Sequence, residues 1–310
     1  MKILYGIQLN GNGHINRSIE IINKLIENEH NIDIITSGKN SDLKLPYNIK
    51  NNFNGLKLIY NKKGSINWIK TIKSSNLIQL IYDIKNFKIK EYDLVISDFE
   101  PISAWSAKLN NIKSIGISNQ YSLVINNNFP KNNLLSKLFV KYFAPCKYYI
   151  GIDYTTDIGV NIFYPIISEK LLKNDINNKN YYIIYLPSIH INNIIKVLET
   201  NKCSKWIIYS NDDINNFKYK NIQIKKTGSD SFMYDFLNCN GVITNCGFST
   251  TTESLILNKK LWAIPIKGQI EQKYNSIMLE KLGVFTGEFN QINLKKWFTY
   301  KRVNYELHII

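Results

Sequence analysis

Short apolar runs alternate with helix-period stretches along most of the chain, the pattern of a parallel α/β sheet. Residues 2–7 read as a first strand, followed by a Gly/Asn loop, a helix over 15–28 and a second strand over 31–36. Residues 56–60 read as a third strand, and 67–87 carry a long, partly amphipathic helical pattern. Residues 93–97 form a clean apolar run that ends against Asp98. Pro101 then suits the first turn of a helix closing near Leu109. A strand over 113–118 and a helix over 134–143 complete the series.

The pattern then begins again. Residues 166–179 are polar and Asn-rich and read as a linker, so the expected domains are 1–165 and 166–310. Strands are expected at 181–186, 206–209, 222–225, 241–244 and 261–266. Helices are expected at 191–199, 231–237, 250–257, 271–282 and 294–300. No sequence repeat is visible, yet two doubly wound units in series are. Ligands of such sheets bind beyond the carboxyl ends of the strands, and the polar motifs fall there.

Composition narrows the picture. With 310 residues, 44% hydrophobic and 20% charged, the chain suits two globular domains rather than a disordered protein. No apolar run approaches the roughly 18–20 residues of a membrane span. The opening MKILYGIQLNGNGH lacks a small-residue cleavage site and reads as a strand, so a cytoplasmic protein is expected. Cys146, Cys203, Cys239 and Cys246 show no CxxC spacing, which argues against a zinc site or a disulfide framework.

Lys and Arg outnumber Asp and Glu by 39 to 24, a formal charge of +15. Such a charge suits anionic partners, although a general Ile/Lys/Asn bias explains it equally well. Residues 65–90 and 132–148 mix lysines with Leu, Ile, Trp, Phe and Tyr. One reading is peripheral association with an anionic membrane; the other is a buried apolar face whose lysines solvate the far side. Nothing resembles a nucleic-acid recognition module, and no nucleic-acid partner is expected.

Three loops can carry chemistry. Asn10-Gly11-Asn12-Gly13-His14 joins the first strand to the first helix, with Asn16 just beyond. Its glycines let the backbone approach a ligand, and His14 stands where it could take a proton from a hydroxyl or merely cap the helix. Asp98 directly follows a buried strand. It could orient that imidazole or cap the helix beginning near Pro101. The third loop, TNCGFSTTTE over 244–253, is the most specific. Asn245, Gly247, Ser249, Thr250 and Thr251 offer backbone N–H, amide and hydroxyl donors for a diphosphate. Glu253 could accept both hydroxyls of a ribose, and Glu271 and Gln272 after the next strand could hold sugar hydroxyls. Ordinary capping and solvated helix charge are the bland alternatives. No DxD pair sits in a suitable loop, since Asp212-Asp213 and Ser229-Asp230 read as polar turns, so no metal is expected.

TNCGFSTTTES resembles the HCGWNS…E signature of the UDP-glycosyltransferases, and IEQKYN resembles its D/E-Q…N ending. Gly13-His14-Ile15-Asn16 matches the GHIN segment of the same superfamily, and QKYNSIMLEKLG is similar to part of the peptidoglycan GlcNAc-transferase MurG. The resemblance spans residues 2 to about 284. It implies a GT-B fold of two Rossmann-like doubly wound domains facing across a cleft, the first for the acceptor and the second for the nucleotide sugar. It further implies inverting, metal-independent sugar transfer from a nucleotide diphosphate sugar, with UDP the expected carrier and the nucleobase left open by the sequence, and no cofactor beyond that co-substrate. His14 would be the base, Asp98 its orienting carboxylate, Glu253 the ribose ligand, and Glu271 with Gln272 the sugar ligands. Gly11, Gly13 and Asn16 would line the acceptor side. Asn245 replaces the phosphate-binding histidine of the plant-type signature and Phe248 its tryptophan; no base-stacking segment is recognisable. A non-hydrolysing sugar-nucleotide epimerase and a catalytically silent binding subunit are the competing readings. The acceptor is unspecified.

Overall fold

The computed structural model describes residues 1–9, 12–38, 45–56, 70–71, 76–125, 134–168, 171, 179–212, 221–229 and 231–305. The chain divides into two compact units, Met1–Glu169 and Lys170–Ile310.

The first unit runs β1 (Lys2–Gln8), α1 (Asn12–Glu27), β2 (Asn31–Ser37), β3 (Ile49–Phe53), α2 (Leu77–Asn86), β4 (Leu94–Asp98), α3 (Pro101–Leu109), β5 (Ser114–Ser118), α4 (Asn119–Ile125), α5 (Leu134–Phe143), β6 (Tyr148–Ile152) and the short β7 (Ile162–Phe163). Its seven strands are parallel in the order β3-β2-β1-β4-β5-β6-β7. The order reverses between β1 and β4, which makes their carboxyl ends the topological switch point. Alternation along β1 explains the layering. Ile3, Tyr5 and Ile7 pack with Ile22 of α1 on one face, while Leu4 packs with Ile35, Val95 and Ala107 on the other. Gly6 is required because α3 crosses so closely that a Cβ there would strike Ser103.

The second unit runs β8 (Tyr181–Tyr185), α6 (Ile191–Leu198), β9 (Lys205–Ser210), β10 (Ile222–Lys226), α7 (Ser231–Asn238), β11 (Gly241–Asn245), α8 (Phe248–Ile256), β12 (Lys260–Ile264), α9 (Ile270–Lys281), β13 (Phe285–Thr286) and α10 (Gln291–Thr299). Its six strands are parallel in the order β10-β9-β8-β11-β12-β13, with the reversal between β8 and β11. Trp206, Trp262 and Trp297 are fully buried in a core with Ile184, Ile208 and Ile243.

Several sequence expectations need correction. The third strand is Ile49–Phe53, not 56–60; Leu56 lies outside any strand, and 57–60 fall outside the described residues. Its sequence IKNNF is an edge strand exposed at four of five positions, so no apolar run marks it. The helical pattern over 67–87 is broken at Asn76, whose side chain accepts the Gln79 N–H and caps α2. Two elements have no counterpart among the expected ones: α4 over Asn119–Ile125, and β6, which opens at Tyr148. The first helix starts at Asn12, so Gly13 and His14 lie in its first turn instead of in the loop.

Candidate active site

Parallel register sets Ile7 of β1 beside Asp98, the last residue of β4. Both side chains face α1, and His14, Arg17 and Ser18 occupy positions i, i+3 and i+4 of that helix, one face of it. They converge on one carboxylate. Asp98 Oδ1 lies 2.7 Å from His14 Nδ1, and its Oδ2 accepts Arg17 Nε–H at 3.0 Å and Ser18 Oγ–H at 3.1 Å. Arg17 Nη2 donates to Oδ1 at 2.5 Å. Asp98 is wholly buried, His14 and Arg17 nearly so.

Burial alone would raise the Asp98 carboxyl, but the Arg17 guanidinium and the His14 ring outweigh it and hold the carboxyl below its ordinary range. An ionised carboxylate only accepts, so the 2.7 Å contact fixes the proton on Nδ1. Arg17 Nη2, 3.1 Å from that same nitrogen, then cannot donate to it and directs one of its two hydrogens to Asp98. The lone pair is left on Nε2. This arrangement can accept a proton.

Asp98 does not cap the next helix. Glu100 does, its carboxylate accepting Ile102 N–H at 2.8 Å and Ser103 N–H at 2.6 Å. Between them Phe99 takes a left-handed backbone with φ of 53°, costly for a residue with a side chain. Its ring is locked against Tyr121 and Phe143, at centroid distances of 5.6 and 4.9 Å. That packing sustains the sharp turn, freeing Asp98 for α1 and Glu100 for α3. Gly13 and Asn16 lie half-buried on the first turns of α1, while Gly11 falls outside the described residues.

In the second unit, β11 ends at Asn245 and α8 starts after Gly247. No side chain caps α8, leaving its first N–H groups without that partner. Gly247 has an ordinary φ of −69°, and a Cβ built on it would meet no atom within 4 Å. The protein itself therefore does not require glycine there. Ser249 and Thr250 are half-buried at the same helix start. Thr251 is turned inward: it is buried, and its hydroxyl donates to the Gly247 and Phe248 carbonyls at 2.8 and 3.0 Å.

Asn245 is also occupied. Its amide donates to Ile264 O at 3.0 Å and accepts from Ser188 Oγ at 3.0 Å, tying the ends of β11 and β12 to the loop after β8. Gln272 accepts Ile266 N–H at 3.0 Å, and Asn275 donates to Cys246 O at 2.9 Å, so α9 braces both turns. Glu271 sits half-buried in the first turn of α9. Burial pushes the half-buried Glu253 carboxyl up to about 7. Among the described residues, no group of three or more His, Cys, Asp or Glu side chains is placed to hold a metal.

Sequence reasoning missed Arg17, Ser18 and Ser188. Arg17 did leave a signal, being one of two arginines in a chain whose other cations are lysines.

A family model described as glycosyl transferase family 1 matches residues 1–300. No curated protein matches the chain. Among solved structures, UGT89C1 from Arabidopsis thaliana is similar with a TM-score of 0.63 at 11% identity, over 94% of this chain and 85% of that one. The same protein complexed with UDP gives 0.61 at 13% identity, over 94% and 86%. The glycosyltransferase SnogD from Streptomyces nogalater gives 0.54 at 11% identity, over 96% and 90%. At such identities the likeness speaks for the fold alone, which is GT-B with two Rossmann-like domains.

Proposed function

We propose that this glycosyltransferase, which belongs to glycosyl transferase family 1, moves a sugar from a nucleotide diphosphate sugar, UDP-linked, to an acceptor hydroxyl with inversion and without a metal ion. The observation that carries the reading is the buried His14–Asp98–Arg17–Ser18 cluster, which leaves one free nitrogen at the switch point of the first sheet.

In this reaction Nε2 of His14 removes the acceptor hydroxyl proton while that oxygen attacks the anomeric carbon. The bond from that carbon to the diphosphate oxygen breaks on the opposite face, and the diphosphate leaves with the electron pair. Asp98 stabilises the resulting imidazolium until the proton passes to solvent. Arg17 and Ser18 are positioning residues that act through Asp98.

The second unit takes the donor. The uncapped N-terminus of α8 with Ser249 and Thr250 receives the leaving charge, Glu253 the ribose hydroxyls, and Glu271 the sugar. Open space at Gly247 supports a close approach by the diphosphate. Asn245, Thr251 and Gln272 hold the turns that frame this site through the bonds described above, and the remaining amide hydrogens of Asn245 and Gln272 face the donor. The partners are the donor and an acceptor.

A thermal-shift screen of UDP-, dTDP- and GDP-sugars identifies the donor, because a bound ligand stabilises by mass action. Nucleotide release is then followed with EDTA present, using water or added alcohols as acceptor. His14→Ala should lower release by roughly a hundredfold or more with donor affinity intact. Undiminished release in His14→Ala would sink the base assignment, and abolition by EDTA would sink metal independence.

A further inference from the structure

From residue 101 to residue 152 the chain has six lysines and no aspartate or glutamate. This stretch builds α3 and α5 on one face of the first sheet, beside α2. The three helices are tied together: Ser106 of α3 donates to Ile84 O of α2 at 2.7 Å, and Trp105 Nε1 of α3 donates to Tyr142 O of α5 at 3.2 Å.

Their outer sides are apolar where a soluble helix should be polar. On α2 the residues Leu77, Ile78, Ile81 and Tyr82 form one stripe at helical spacing, with Ile78 83% and Tyr82 61% exposed. Leu109 of α3 is 55% exposed, and Leu138 and Tyr142 of α5 are 42% and 47% exposed. Lysines border these residues. Lys85 continues the α2 stripe by one turn, Lys108 lies 5.0 Å from the Trp105 ring, and Lys141 lies 5.4 Å from the Tyr142 ring. The one acid on these three helices, Asp83, accepts Gln79 Nε2–H on α2.

We infer that this face of the first unit docks on an anionic lipid bilayer, with the α2 stripe, Leu109 and Tyr142 entering the interface and Lys85, Lys108 and Lys141 on the headgroups. Aliphatic and aromatic side chains framed by lysines, with cations held beside aromatic rings, match the layered chemistry of that interface. The charge points away from a second copy of the chain, since two molecules of +15 repel. No helix among the described residues is long and apolar enough to cross a membrane, so the contact is lateral. The inference stands apart from the sugar transfer proposed above, because it rests on binding and not on turnover.

The test is flotation of the full chain with vesicles of phosphatidylcholine alone and of phosphatidylcholine with phosphatidylglycerol, at physiological salt. The protein should float with the anionic vesicles and much less with the neutral ones. Ile78→Ser with Tyr82→Ser, and separately Lys85→Gln, Lys108→Gln and Lys141→Gln together, should each weaken partitioning by roughly tenfold or more. These residues are exposed or at the rim, so the thermal midpoint and UDP binding should stay unchanged in both variants. Equal failure to float with either vesicle overturns the inference. So does flotation that survives both sets of substitutions. Self-association abolished by the Ile78 and Tyr82 changes, seen by sedimentation, would instead assign the face to a protein contact.

Discussion

The switch points of the two sheets treat their polar groups in opposite ways. At the first, Asp98 is buried and accepts from three side chains on one helix, so the cluster is complete before any ligand arrives. At the second, polar atoms are spent on bracing the turns, while the helix terminus they frame is left uncapped. One edge is assembled to hold a proton acceptor in place. The other is a scaffold around a helix N-terminus that no side chain caps, a setting suited to an anion from solution. Substitutions should therefore cost stability at the first edge and ligand affinity at the second.

The largest effect expected is at Asp98. Asp98→Ala removes the carboxylate to which two nitrogens of the buried Arg17 guanidinium donate, at a cost of about 3–5 kcal/mol. Denaturant unfolding measures this directly. The double change Arg17→Met with Asp98→Leu removes both charges and should recover much of that loss, since an apolar pair can replace a buried ion pair. Turnover should not recover, because Nδ1 of His14 has then lost its acceptor. A loss under about 1 kcal/mol in Asp98→Ala would mark the site as solvated and break the contrast.

Gly247 offers the reciprocal case. Its φ of −69° suits any residue, and a Cβ would enter open space. Gly247→Ala should leave stability nearly unchanged, a gain of about 0.4–1 kcal/mol through the unfolded chain being offset by alanine's poorer fit at the N-cap. If a diphosphate approaches the backbone there, the added methyl should weaken UDP binding by roughly tenfold, about 1.4 kcal/mol, read by calorimetry. Unchanged UDP affinity would show that the uncapped terminus of α8 is not the anion site.

How much was legible in the sequence follows the same division. The strand running into Asp98 and the helix begun by Pro101 were readable, because an apolar run and a proline at N1 are local signals. His14 and Asp98 could be paired as candidates from strand ends alone. Arg17 could not, since its role depends on helical spacing from His14 and the helix had been placed three residues late. The bond between Ser188 and Asn245 joins residues far apart in sequence, which no local pattern reports. Ile49–Phe53 is polar because it is an edge strand. Asn119–Ile125 hid for the opposite reason: Asn119, Gln120 and Ser122 are polar yet buried, so no apolar period marks the helix.

Glu253 sharpens the comparison most finely, because stability and affinity should move in opposite directions there. Burial places its carboxyl at about 7 in the folded protein, above the ordinary value near 4.5. The sign follows from proton binding. Below about 4.5 both states hold the proton, and nothing is lost. As pH rises from there to about 7 the unfolded chain releases it first, so the folded state loses stability progressively. Above about 7 the full penalty is present. Glu253→Gln abolishes it and should stabilise the free protein at pH 8 by on the order of 1–2 kcal/mol, allowing for partial exposure, and hardly at all near pH 4.5. A carboxylate that holds ribose hydroxyls makes charge-assisted hydrogen bonds, which an amide replaces poorly. UDP affinity should accordingly fall severalfold in Glu253→Gln at pH 8, and in the unaltered protein it should rise as pH passes through about 7. A variant that gains stability at pH 8 yet binds UDP undiminished would leave Glu253 as a buried acid with no part in the donor site.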